Sequence, residues 1–187
     1  AHTRSRLRPI VEAVVALPIV LPPTVLGFYI LVALGPYGPL GRLANLTLAF
    51  TFTGLVIASV FYSMPFVIQP LQGAFEAAGK APLEAAWSLR ASKMDAFLTV
   101  MSPIALRGYL SAIVLGFAHT MGEFGVVLMV GGSIPGQTKV LSTTIFDHVE
   151  SMEYAQAHAI SAFMLIFSFL VLLGVYVTNR RFPIHVS

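Results

Sequence analysis

Charged residues are missing from Ala13 to Gly41 and again from Leu43 to Phe75, and each gap exceeds the roughly 20 apolar residues, at about 1.5 Å rise apiece, that a helix needs to cross a bilayer. Two further apolar stretches follow. The pattern predicts spans at about 10–34, 48–71, 103–121 and 154–178, and with them an all-α transmembrane chain forming a single membrane domain over 1–187. Pro18 and the pair Pro22-Pro23 remove backbone donors inside the first span, so that helix is expected to be kinked, its freed carbonyls satisfied by neighbours. Pro65 and Pro70 fall near the end of the second. The turn-forming run Gly35-Pro36-Tyr37-Gly38-Pro39-Leu40-Gly41 closes the first span.

Between the second and third spans lies a polar island, about 76–101, and its charges bear on orientation. Arg4, Arg6 and Arg8 precede span one, Lys80, Arg90 and Lys93 lie in the island, and Arg180 and Arg181 follow span four; the opposite side carries Arg42 and Lys139. Lys and Arg collect on the cytoplasmic side, which predicts that both termini of this segment and the island face the cytoplasm of a cell inner membrane. Arg107, a turn inside span three, is expected to snorkel. Composition agrees with a lipid environment: of 187 residues, 57% are hydrophobic and 10% charged, far from the balance of soluble domains. The net charge of +3 is spread beside the spans rather than along one stripe, which speaks against nucleic acid as a partner. No cysteine is present, so disulfides and thiolate metal sites are excluded. The basic start leads into a full apolar stretch without a small-residue cleavage pattern, and the chain opens on Ala1, which suggests that a leading piece is missing.

Within the island, Leu83, Ala86 and Leu89 mark the apolar positions of a short helix, with Pro82 in its first turn and Glu84 near the positive end of its dipole. A second helical stretch, Met94 to Met101, leads to Pro103. The small pair Ala85-Ala86 leaves room for another surface, and Trp87 could anchor it; the plainer alternative is a helix lying on headgroups. Glu84-Ala85-Ala86, followed at a fixed distance by Pro103, resembles the loop of permease subunits of ATP-binding-cassette importers, whose pattern reads Glu-Ala-Ala, three residues, Gly, nine residues, Ile-x-Leu-Pro. Arg90 stands where that family has Gly, Val100 where it has Ile, and Ser102 where it has Leu.

Further elements match in order and spacing: Leu17-Pro18-Ile19-Val20-Leu21-Pro22-Pro23 with Gly27, Met64-Pro65-Phe66, Met121-Gly122-Glu123-Phe124-Gly125, and Ser133-Ile134-Pro135-Gly136-Gln137-Thr138. Together they resemble the molybdate branch of these permeases, with the sulfate branch sharing the Gly-Glu-Phe-Gly element. The resemblance implies a type I importer permease fold with one more span ahead of Arg4, and Arg at the position of His119. It implies a homodimer, two ATP-binding-cassette subunits holding ATP and magnesium, an extracytoplasmic molybdate-binding protein, and no cofactor or metal on this chain. It makes Glu84, Ala85, Ala86, Trp87, Leu89 and Arg90 the coupling contact with the ATPase. Tungstate and sulfate are the alternative cargoes.

His119 and Glu123 share a helix face. As an intramembrane enzyme they would need a third group, from His148, Glu150, Glu153 or His158, and the His-Glu-x-x-His pattern of zinc proteases is absent. Gate or pathway residues are the better reading for His119, Gly122, Glu123, Phe124 and Gly125. Glu123 is expected to be a buried or pore-mouth carboxylate bonded by neighbours such as His119 or Thr120, and to organise the gate, since an ionised carboxylate on the path would repel an anion. An ATP-independent secondary transporter is the third reading. No Gly-Lys-Ser/Thr phosphate loop is present, so catalytic residues are expected on a partner. Gly108, Ala112 and Gly116 form a small-residue seam expected to serve packing within the chain.

Overall fold

The computed structural model describes residues 7–44 and 47–181; Arg4 and Arg6 lie outside the described residues, as do the side chains of Arg180 and Arg181. Every regular element among the described residues is helical. They run α1 (Arg8–Val20), α2 (Pro23–Leu34), α3 (Pro39–Ala44), α4 (Phe52–Ala78), α5 (Ala81–Ser88), α6 (Lys93–Asp95), a π-helical segment (Ala96–Met101), α7 (Ser102–Ile104), α8 (Leu106–Gly122), α9 (Gly125–Gly131), α10 (Leu141–Glu150) and α11 (Tyr154–Arg181).

The first apolar stretch is broken rather than kinked. Helices α1 and α2 meet at 116°. Pro18 alone is absorbed within α1, but Leu21 precedes a proline and is pushed into extended backbone (ψ 140°), and Pro22 and Pro23 then offer no donor to continue the ladder. Helix α4, by contrast, carries Pro65 and Pro70 without interruption and extends to Ala78. Its start is fixed by Thr51, whose Oγ1 accepts from the Gly54 N–H at 3.1 Å and donates to the Leu48 carbonyl at 2.7 Å. The third stretch is again a bent pair. Lys93–Ile104 and Leu106–Gly122 meet at 71°, hinged at Ala105. Two helices, α4 and Tyr154–Val177 of α11, are long and apolar enough to cross a membrane singly, and each bent pair adds one more if it counts as a span.

Helices α4 and α8 form the central pair. The seam of Gly108, Ala112 and Gly116 is buried, and it packs within the chain: a Cβ at Gly108 would lie 2.2 Å from Ala74 Cβ, and one at Gly116 2.7 Å from Val67 Cγ2. Helix α2 also approaches α9 closely, since a Cβ at Gly27 would sit 3.1 Å from the Val126 Cα. Between these pairs the core gathers Leu34, Ala58, Tyr62, Val126 and Val130. The loop after α9 is closed by Thr138, which donates to the Gly131 carbonyl at 2.5 Å and accepts from the Ile134 N–H at 3.0 Å. Between Tyr154 and Val177 of α11 Ala157 alone is buried, and Phe163, Leu165, Ile166 and Phe169 stand exposed; such a surface suits lipid rather than water.

Candidate functional site

Two places bring the sequence-predicted residues together. The first is the polar island. Pro82 sits in the opening turn of α5, and Glu84 follows in that turn. Ser88 Oγ donates to the Glu84 carbonyl at 2.9 Å. Glu84, Ala85, Trp87, Leu89 and Arg90 are all exposed. Ala86 faces the other way, 8% exposed, so its small side chain serves packing inside the chain.

The end of α5 explains a departure noted in the sequence. The Ala91 N–H bonds the Ala86 carbonyl at 3.1 Å and the Arg90 N–H bonds the Trp87 carbonyl at 2.9 Å, which is the bond pair of a Schellman motif with Arg90 in its left-handed position. Arg90 has φ +63°. That is the conformation glycine adopts freely and other L-residues resist. The turn expected of a glycine is therefore made here by arginine. Beyond it, Ser92 Oγ accepts from the Asp95 N–H at 3.1 Å and starts α6. The π-helical run Ala96–Met101 that follows left no signal in the periodicity; Ala96 and Met101, one at each end of it, are buried.

The second place is a cavity of about 480 Å³ at the break between α8 and α9. His119, Gly122, Glu123, Phe124 and Gly125 all line it, joined by Pro23 and Thr24 of α2 and Tyr62 of α4. Pro23 was noted in the sequence for its effect on the backbone, and Thr24 and Tyr62 were not singled out, because these three come from elements distant along the chain. His119 lies flat on Phe66, ring centres 3.8 Å apart, and tilts against Tyr62 at 4.8 Å. Ser142 Oγ donates to the Glu123 carbonyl at 2.6 Å and ties α10 to this break.

The expected hydrogen bonds to the Glu123 carboxyl group are not made. His119 is turned onto Phe66, and the Thr120 hydroxyl donates to the Gly116 carbonyl at 2.8 Å while receiving the Ser63 hydroxyl at 2.8 Å. Glu123 is 4% exposed, and neither carboxyl oxygen completes a hydrogen bond, although the Ser59 hydroxyl lies beside the group; the His119 Nε2 is likewise buried and unpaired. A second cavity, about 230 Å³, is lined by Glu123 together with Ser59, Thr120 and Ser142. Among the described residues no three His, Cys, Asp or Glu side chains gather as a metal site. His148 instead pairs with Glu153 at 2.7 Å.

Comparison with known proteins adds the context for these two places. Residues 1–183 match the family model described as "Binding-protein-dependent transport system inner membrane component". The chain is 60% identical over 191 aligned positions to the "Molybdenum transport system permease protein ModB" of Azotobacter vinelandii, covering 100% of this chain and 84% of that protein. It is 34% identical to the "Probable sulfate transport system permease protein cysT" of Nephroselmis olivacea, covering 94% of this chain and 64% of the relative. With the "Sulfate transport system permease protein CysT" of Salmonella typhimurium the identity is 31%, over 96% of this chain and 67% of the relative. An all-helical chain with apolar spans, matched over nearly its whole length, belongs to the family of binding-protein-dependent transport system inner membrane components.

Proposed function

We propose that this chain is the membrane-spanning permease subunit of an ATP-driven importer for molybdate. The observation that carries the reading is the 60% identity to a molybdenum permease along the whole chain; the sulfate relatives, at 31% and 34%, make sulfate the second candidate cargo. Two copies form the pathway, a molybdate-binding protein delivers cargo from outside, and two ATP-binding-cassette subunits, which hold the ATP and magnesium, work on the cytoplasmic side. Both termini of the segment and the island face that side.

In this reading α5 is the handle. Its exposed edge, Glu84, Ala85, Trp87, Leu89 and Arg90, seats on the ATPase, with Ala86 holding the handle to its own chain. The rod Lys93–Ile104 connects the handle to α8, and Ala105 is the joint between them. When ATP draws its subunits together, the handle moves and α8 tilts against α4 as a semi-rigid body, switching access between the two sides. Each ligand shifts that equilibrium only by binding one state better than the other. The cluster at residues 119–125 is the gate at the far end of α8. The test is ATP hydrolysis by the reconstituted complex with its binding protein, scanned over molybdate, tungstate and sulfate. Stimulation by molybdate at the lowest concentration supports the reading; stimulation by sulfate alone replaces the cargo, and hydrolysis indifferent to every oxyanion refutes it.

A further inference from the structure

All the buried side-chain atoms left without a hydrogen-bond partner among the described residues, His119 Nε2 and both Glu123 carboxyl oxygens, line one cavity. A buried polar group without a partner carries a penalty of one to several kcal/mol, so such groups are kept where something else is to be bound. The cavity has the size for a small tetrahedral oxyanion, at about 480 Å³. Its walls hold no Lys or Arg. The titratable groups facing Glu123 are Tyr62 from α4 and His119 from α8; α4 also presents the Ser59 hydroxyl, α2 presents Pro23 and Thr24, α9 presents Gly125 and Val127, α10 presents Leu141 and Ser142, and α11 presents Met164.

An ionised Glu123 would meet no Lys or Arg in the cavity wall to offset its charge, whereas the neutral acid avoids most of the desolvation penalty. This changes the sequence expectation. Repulsion of the cargo applies to the ionised form only; a neutral carboxylic acid is a hydrogen-bond donor, and an oxyanion has only acceptors to offer. Neutral donors also suit a place the cargo must leave again, because they hold an anion less tightly than a guanidinium would.

We propose that this cavity is a transit site for the oxyanion, in which the Glu123 carboxylic acid O–H and the His119 Nε2–H are the hydrogen-bond donors. The inference rests on the permease reading and assigns a contact with cargo to residues that reading treats as a gate. The proton stays on Glu123 as the oxyanion arrives and leaves, so no bond beyond the hydrogen bonds forms or breaks.

The test is molybdate uptake into vesicles containing the complete complex, measured from about pH 6 to about pH 8.5, a range over which a buried Glu titrates. Uptake by the wild type is expected to fall as pH rises and the donor is lost, by about tenfold per pH unit once the acid ionises. Glu123→Gln, whose amide donates at every pH, should abolish that dependence, whatever its absolute rate. Glu123→Met, which fills the space without a donor, should lower kcat at the acid end of the range to a value that no longer varies with pH, and leave KM, set by capture outside, unchanged. His119→Gln keeps a donor and should keep the pH dependence. A wild type whose uptake is flat across the range, or a Glu123→Gln complex with the wild-type profile, overturns the transit site while leaving the permease reading intact. A wild-type complex that moves no oxyanion at any pH overturns both.

Discussion

Replacing Arg90 by Gly should tighten the end of α5. Arg90 occupies the left-handed position of the Schellman motif at φ +63°, where an L-residue pays roughly 1–2 kcal/mol relative to its preferred conformations. Glycine escapes that penalty and loses about 0.5–1 kcal/mol through its greater freedom in the open chain. The difference is a net stabilisation of about 0.5–1 kcal/mol for the closed turn, or roughly a two- to fivefold drop in its local opening. Hydrogen exchange of the assembled complex reads this directly, because the N–H groups of Arg90 and Ala91 make the two closing bonds, to Trp87 and Ala86. Protection at positions 90 and 91 should rise by that factor in Arg90→Gly. Arg90→Ala, which removes the charge and keeps the Cβ, should leave it near the wild-type level. Equal protection in the Gly and Ala variants would show that backbone conformation is not what limits the turn, and the argument would fail.

Gly108→Ala should destabilise the α4–α8 pair by about 1–3 kcal/mol, since the new Cβ would lie 2.2 Å from Ala74 Cβ; Ala74→Gly in the same chain should restore most of the melting temperature in detergent. Thr51→Ala removes the cap of α4, both the bond from Gly54 and that to Leu48, and should cost about 1 kcal/mol by the same measurement. Glu84→Arg places a positive charge in the first turn of α5 and on its exposed edge, and should abolish co-purification with the ATPase subunit; retained binding and transport would remove α5 as the handle. Lys139, 2.7 Å from Asp147, holds that carboxyl below the usual range. A carboxyl so lowered stabilises its loop above the ordinary Asp pKa of about 3.9 and stops doing so as pH falls through the lower folded value. Exchange protection near Ser133 and Asp147 should therefore persist to about pH 4 and fade below it, and Lys139→Ala should move the onset of fading upward.

The helical class and the place of the polar island were legible in the sequence because each is a local property. Absence of charge over more than twenty residues marks a helix that lipid can surround, and Pro82 with Glu84 marks a helix start whatever the rest of the chain does. That His119, Gly122, Glu123, Phe124 and Gly125 belong together was legible for a similar reason, since they are nearly contiguous and the end of α8 delivers them to one cavity. Local reasoning went astray where two local effects competed. Pro18, Pro22 and Pro23 all remove donors, yet only the pair, with Leu21 forced to extended backbone ahead of it, turned a kink into a 116° break, while Pro65 and Pro70 left α4 whole.

What the sequence determined by itself, then, was which stretches are helical and lipid-compatible and which residues lie beside one another along the chain. The tertiary structure alone decided that Tyr62, Pro23 and Thr24 complete the cavity, that Ala86 faces inward while Trp87 and Leu89 face out, that Arg90 takes a glycine's conformation, and that Glu123 is buried without a partner. The physical reason is that burial and hydrogen-bond satisfaction depend on neighbours contributed by helices far apart in sequence, whereas hydrophobicity and backbone preference belong to each residue and those next to it.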